Sequence, residues 1–96
     1  MRLSSFEIDT IKGAVNRFAP EAAVYLFGSR TDDTKRGGDI DLLLMSKEKL
    51  SGLCILEISD TIQQAIGEQK IDIVSAVQET EDPFVQYILP EAIKLG

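Results

Sequence analysis

The chain has 96 residues, with 10 Lys and Arg against 16 Asp and Glu, a net charge of −6, and it is 44% hydrophobic and 27% charged. That describes one small folded domain over residues 1–96 with a modest core, and its acidity opposes a general coating role on DNA or RNA. His is absent and Cys54 is the only cysteine, which removes imidazole-dependent triads, intrachain disulfides and thiolate zinc cages and fits a reducing, cytoplasmic compartment.

No long apolar run follows the first residues, so neither a secretory leader nor a membrane span is expected. Residues 5 to 19 predict an amphipathic helix. Ser4 and Glu7 form a capping-box pattern, Phe6, Ile8, Ile11, Val15 and Phe18 recur near helical spacing, and Pro20 stops the run. Residues 22 to 27 are short and apolar between Pro20 and Gly28, which predicts a buried strand. Gly28-Ser29 breaks it, and the polar spacer from 30 to 38 allows one helical turn and a Gly37-Gly38 hinge.

Asp39 to Met45 predicts a second strand. A helix follows, starting between 47 and 53 and ending near Gly67, with Ile55, Ile58, Ile62, Ala65 and Ile66 on its apolar face. Ile71 to Val74 predicts a third strand. Asp82-Pro83 opens a last helix with an N-cap and Pro at the first position, and Pro90 kinks or restarts it. The spacer between the first two strands is too short for a parallel crossover, so they should be antiparallel; the third, reached through a helix, can be parallel. The expectation is an α/β (α+β) fold: a mixed sheet of about three strands with helices on one face.

The chemistry concentrates in three aspartates. Asp39 and Asp41 are two residues apart on a strand, so they share a face roughly 7 Å apart and repel unless a cation lies between them. Asp72 is the only charge in the apolar run Ile71 to Val74. Carboxylate oxygens gathered in apolar strands point to a divalent cation such as Mg²⁺. Three of them can hold two Mg²⁺ ions for in-line phosphoryl displacement. Gly28-Ser29 at a strand end offers backbone N–H groups and a hydroxyl to an anion. Metal ligands beside phosphate donors suggest a nucleoside triphosphate.

Phe27-Gly28-Ser29-Arg30, a spacer, then Asp39-Ile40-Asp41-Leu42 resembles the signature of the DNA polymerase β-like nucleotidyltransferases, with Asp72 where the family carries a third carboxylate. The resemblance covers nearly the whole chain and is nearest to minimal nucleotidyltransferases, found as antitoxins beside HEPN-domain proteins. It implies that Gly28, Ser29 and Arg30 bind the nucleotide, and that Asp39, Asp41 and Asp72 bind Mg²⁺, with Asp72 also helping to deprotonate the acceptor hydroxyl. It further implies AMP transfer from ATP to a hydroxyl, such as a tyrosine of a HEPN partner, in a homodimer or hetero-oligomer.

Thr31-Asp32-Asp33 departs from the family pattern, and Arg30, Lys35 and Arg36 also read as solvated loop charges. Asp39 also reads as a turn residue, and Asp72 as a partner of Lys70. Two other functions stay open: an antitoxin that neutralises its partner by contact alone, and a small-molecule nucleotidyltransferase of the antibiotic-modifying kind. Cys54, Tyr25 and Phe27 read as core, while Phe84, Tyr87, Ile88 and Ile93 read as core or subunit contact.

Overall fold

A computed structural model describes residues 3–31, 39–67 and 69–95. Helix α1 spans Ser5–Phe18 and opens with the expected capping box: Ser4 Oγ accepts from Glu7 N at 3.1 Å, and Glu7 Oε1 accepts from Ser4 N at 2.9 Å. Two of the helix's orphan N-terminal donor problems are solved locally. Strand β1 is Ala23–Phe27, and a 3₁₀ turn covers Gly28–Thr31. Strand β2 is Ile40–Ser46 and helix α2 is Gly52–Ile66, capped by Ser51 and closed at Gly67 with φ 91°. Strand β3 is Ile71–Val77, helix α3 is Pro83–Ile88 behind the Asp82 cap, and a 3₁₀ turn over Leu89–Glu91 leads into strand β4, Ile93–Lys94.

The sheet order is β3-β2-β1-β4. β1 pairs antiparallel with β2 and β4, and β2 pairs parallel with β3, as the spacer lengths require. β4 extends the expected three strands to four; its two residues are too few to carry a strand pattern. β3 runs three residues past Val74, because Ser75 to Val77 continue the ladder against Leu44 to Ser46 despite their small or polar side chains.

β2 is apolar at both parities, and both faces of the sheet are covered. Ile40, Leu42 and Leu44 are fully buried with Ile11, Ala14 and Val15 of α1 and Ile58 and Ile62 of α2. Leu43 and Met45 pack on the opposite face with Ala76, Val85 and Ile88. Helices on one face only is therefore corrected: α3 takes the second face, because Leu43 and Met45 would otherwise stand in water at about 1.5–3 kcal/mol each. Cys54 is half-buried against the first core, its Sγ 3.4 Å from Phe18 O. No described helix is long and apolar enough to cross a membrane.

Candidate active site

Asp41 enters β2 one residue after Ile40, whose side chain is fully buried on the α1/α2 side. Strand alternation therefore turns Asp41 to the α3 side, in line with Leu43 and Met45. The register sets Phe27 of β1 opposite Asp41 on one flank and Asp72 of β3 opposite it on the other. Directly paired positions on neighbouring strands hold their side chains about 4.5–5.5 Å apart at Cβ. Two carboxylates thus stand side by side near the start of the only parallel ladder in the described sheet.

Their proximity has an electrostatic signature. The Asp41 carboxyl is pushed above the ordinary aspartate value, first by burial, then by the negative charges of Asp72 and Asp39, and by a hydrogen bond with the Asp72 side chain; Lys70 pulls the other way. A carboxyl–carboxyl hydrogen bond needs a proton, and the raised Asp41 carboxyl holds its proton more tightly than an ordinary aspartate. Asp39 lies one residue before β2, and its Oδ2 is 3.6 Å from Lys70 Nζ. The partner of Lys70 is therefore Asp39, and the expected alternative of an Asp72–Lys70 pair is not what forms.

Gly28 lies against the same carboxylate. Its φ is +79°, in the left-handed region, and a Cβ there would run into Asp41 Oδ2 and come within 3.1 Å of Cγ. Glycine is required twice over, for conformation and for approach. Thr31 Oγ1 donates to Gly28 O at 2.8 Å and fastens the 3₁₀ turn. The expectations for the Ser29 and Arg30 side chains, and for Asp32, Asp33, Lys35, Arg36 and the Gly37-Gly38 hinge, lie outside what the described residues report.

Among the described residues, no group of three or more His, Cys, Asp or Glu is gathered closely enough to hold a metal ion as it stands. Asp41 and Asp72 are together; Asp39 is engaged by Lys70. The donor set nevertheless suits a hard divalent cation. It is all carboxylate oxygen, and the Asp41 carboxyl, raised by burial and by its negative neighbours, would be relieved by a positive ion beside it.

A cleft of about 170 Å³ adjoins this corner, lined by Phe27, Gly28, Thr31, Tyr87, Ile88 and Glu91. Three larger grooves, of about 550, 510 and 370 Å³, lie along α1 and β4, beside the end of β2, and between Lys47 and the end of β3. None of these grooves, nor the 170 Å³ cleft itself, is lined by any of the three aspartates; the cleft is tied to them through Phe27 and Gly28, so the chemistry and not the volume places the site. Sequence reasoning missed this wall. Phe84 stands 6.1 Å from Phe27, edge to face, and is half exposed, while Tyr87 is 82% exposed. The signal was present in the i, i+3 spacing of the two rings, beside the buried Val85 and Ile88.

The fold has known relatives. The chain is similar to a chain of a toxin–antitoxin structure with AMP-PNP, at 20% identity and TM-score 0.75, covering 93% of this chain and 72% of that one. It is also similar to a chain of the tri-AMPylated Shewanella oneidensis HEPN toxin in complex with MNT antitoxin, at 19% identity and TM-score 0.70, covering 94% and 69%. A MntA–HpeT toxin–antitoxin mutant matches at 18% identity and TM-score 0.74, covering 93% and 71%. At such identities the likeness establishes the fold. None of the curated proteins matches significantly. The family model described as "Polymerase beta, Nucleotidyltransferase" matches residues 9–95, a stretch that takes in the glycine turn, all three aspartates and the four-stranded sheet. This chain belongs to the polymerase beta nucleotidyltransferase family.

Proposed function

We propose that residues 1–96 act as one minimal nucleotidyltransferase unit in the cytoplasm. It transfers AMP from ATP to a hydroxyl, namely a tyrosine of a HEPN-domain partner, and thereby serves as an antitoxin. The observation that carries this reading is the Asp41–Asp72 pair with the Gly28 backbone packed against Asp41. The fold neighbours are toxin–antitoxin complexes, one of them with an AMPylated HEPN toxin, and they support the choice of partner.

Asp39, Asp41 and Asp72 would hold Mg²⁺, which when bound supplies charge neutralisation along the triphosphate. Gly28 and Ser29 offer N–H donors to its terminal phosphates. Asp72 accepts the proton of the attacking hydroxyl; the new bond forms between that oxygen and the α-phosphorus, and the bond to the pyrophosphate oxygen breaks. Pyrophosphate leaves and AMP stays on the acceptor. The residues contribute mainly by positioning and electrostatics. Arg30 is assigned to the nucleotide on the family resemblance.

The test is to incubate the chain with ATP, Mg²⁺ and the HEPN protein encoded beside it, and to weigh that protein. A gain of one or more AMP units, absent with the Asp39→Asn/Asp41→Asn variant, is expected. No gain with any nucleoside triphosphate overturns the reading. A second reading, neutralisation by contact alone, is favoured by the engagement of Asp39 with Lys70. It predicts that the double variant still protects cells from the toxin.

A further inference from the structure

The two most exposed aromatic rings of this chain, beyond the start of α1, are both on α3. Phe84 is 50% exposed and Tyr87 82%. They are three residues apart, so they are neighbours on the helix surface, while Val85 and Ile88, each one residue further on, anchor the adjoining face in the second core. Phe84 meets Phe27 edge to face, and Tyr87 lines the cleft together with Phe27 and Gly28. Phe27 is the register partner of Asp41. Gly28 both presses on the Asp41 carboxylate and walls the cleft. The carboxylate corner and the aromatic cleft therefore share a wall one residue thick.

A ligand that fills both must carry phosphate at one end and a flat apolar ring at the other. A nucleotide does. Exposed aromatic rings beside a phosphate site provide stacking surface, which is tolerant of base identity. The charged group at the cleft is Glu91, a carboxylate that can only accept hydrogen bonds when ionised; Thr31, which also lines it, spends its hydroxyl proton on Gly28 O. It would repel additional phosphate and reward a base with an exocyclic amino group, as on adenine, guanine and cytosine. Uracil has no amino group; its one free donor, the N3–H, is flanked by two carbonyl oxygens that would repel the Glu91 carboxylate.

Building on the nucleotidyltransferase reading, we infer that Tyr87, in the cleft it shares with Phe27, is the ring on which the nucleobase stacks, with Phe84 backing Phe27 from outside the cleft and Glu91 favouring amino-bearing bases over uracil. Tyr87 is then a specificity-determining residue and the 170 Å³ cleft is the base subsite.

The experiment compares binding of ATP, UTP and inorganic tripolyphosphate, each with Mg²⁺, to the full chain and its variants by calorimetry. The chain has no Trp and two Tyr, so quenching of tyrosine emission provides a parallel readout, and circular dichroism checks the fold. In Tyr87→Ala, ATP should bind about 5- to 100-fold more weakly, while tripolyphosphate changes less than about twofold. Tyr87→Phe should keep wild-type affinity, because the ring and not the hydroxyl does the stacking. Phe84→Ala should weaken ATP binding less than Tyr87→Ala does, because Phe84 only backs the Phe27 wall of the cleft, and Glu91→Gln should narrow the preference for ATP over UTP. Equal loss of ATP and tripolyphosphate in Tyr87→Ala, or no loss of either, overturns the inference. So does a Tyr87→Ala chain that binds ATP normally but no longer modifies its partner, which would make the platform a docking surface for the acceptor while leaving the transferase reading intact. If the wild-type chain binds neither ATP nor tripolyphosphate, the transferase reading falls and the base subsite falls with it.

Discussion

The two faces of the central sheet are built from the same strands and do different work. On the face under α1 and α2, β2 contributes Ile40, Leu42 and Leu44, all fully buried, so the apolar row runs unbroken from the first strand residue onward. On the face under α3, Leu43 and Met45 are buried but the row begins with Asp41, and β3 answers it with Asp72. The first face is covered by helices of 14 and 15 residues, the second by one of six. A long helix pair can close a sheet completely, whereas a short helix leaves the strand starts open. The difference teaches where a small domain keeps its stability and where it can tolerate charge repulsion, a positive-φ glycine and exposed rings.

The largest effect that would break this comparison comes from cutting into the closed face. Leu42→Ala removes a fully buried side chain from the cluster shared by α1 and α2 and should cost about 2–5 kcal/mol. Leu43→Ala, beneath the short helix, should fall near the low end of that range because α3 can settle onto the gap. Urea unfolding of both variants decides the matter: a larger loss at Leu43 would mean that the α3 face carries the fold. Next in size is Gly28→Ala. The left-handed backbone costs about 1–2 kcal/mol for an alanine, and the added methyl must displace the Asp41 carboxylate. Thermal unfolding should show that loss, and AMP transfer should fall at least about 100-fold, comparable to losing a main electrostatic contact in an active site. Full activity in Gly28→Ala would separate the glycine from the chemistry.

Most of the closed face was legible in the sequence, because helical spacing and capping are local signals. Ser4 with Glu7, and Gly67, mark ends of α1 and α2 through bonds made within a few residues, while the Ser51 cap emerges only from the structure; on the other face Asp82-Pro83 marks the start of α3 in the same way. The pairing directions followed from connection lengths. The open face was harder to read. The Leu42-Leu43-Leu44-Met45 run has no parity, so it does not announce that one half faces a third helix. β4 is held by its pairing with β1, a long-range contact that leaves no mark on two residues. Among the site residues, Asp41 and Asp72 stood out as charges in apolar strands. The attachment of Asp39 to Lys70 depends on the β2–β3 register, in which Ile40 N donates to Lys70 O at 3.0 Å, and register is not written in either strand alone.

The smallest expected effect is also the sharpest probe of the open face. The native carboxyl of Asp41 is held above its ordinary value of 3.8 by burial and by Asp72 and Asp39. A carboxyl raised in the folded state binds its proton more tightly there than in the unfolded chain. Its contribution to stability is therefore complete below 3.8 and is lost as pH rises through the raised native value. At neutral pH the ionised pair works against folding, and Asp41→Asn should stabilise the Mg²⁺-free protein. Like charges directly opposite on neighbouring strands are worth about 0.2–1 kcal/mol, or roughly 1–8 °C in a domain of this size. The gain should shrink as pH falls toward 4 and vanish below it, where the wild-type carboxyl is protonated in both states. Added Mg²⁺ should raise the melting temperature of the wild type and do little for the variant, reversing their order. A variant that gains nothing at pH 7, or that responds to Mg²⁺ as the wild type does, would mean that the two aspartates are not held together against their charge. The α3 face would then lack the strain that a bound cation is expected to relieve.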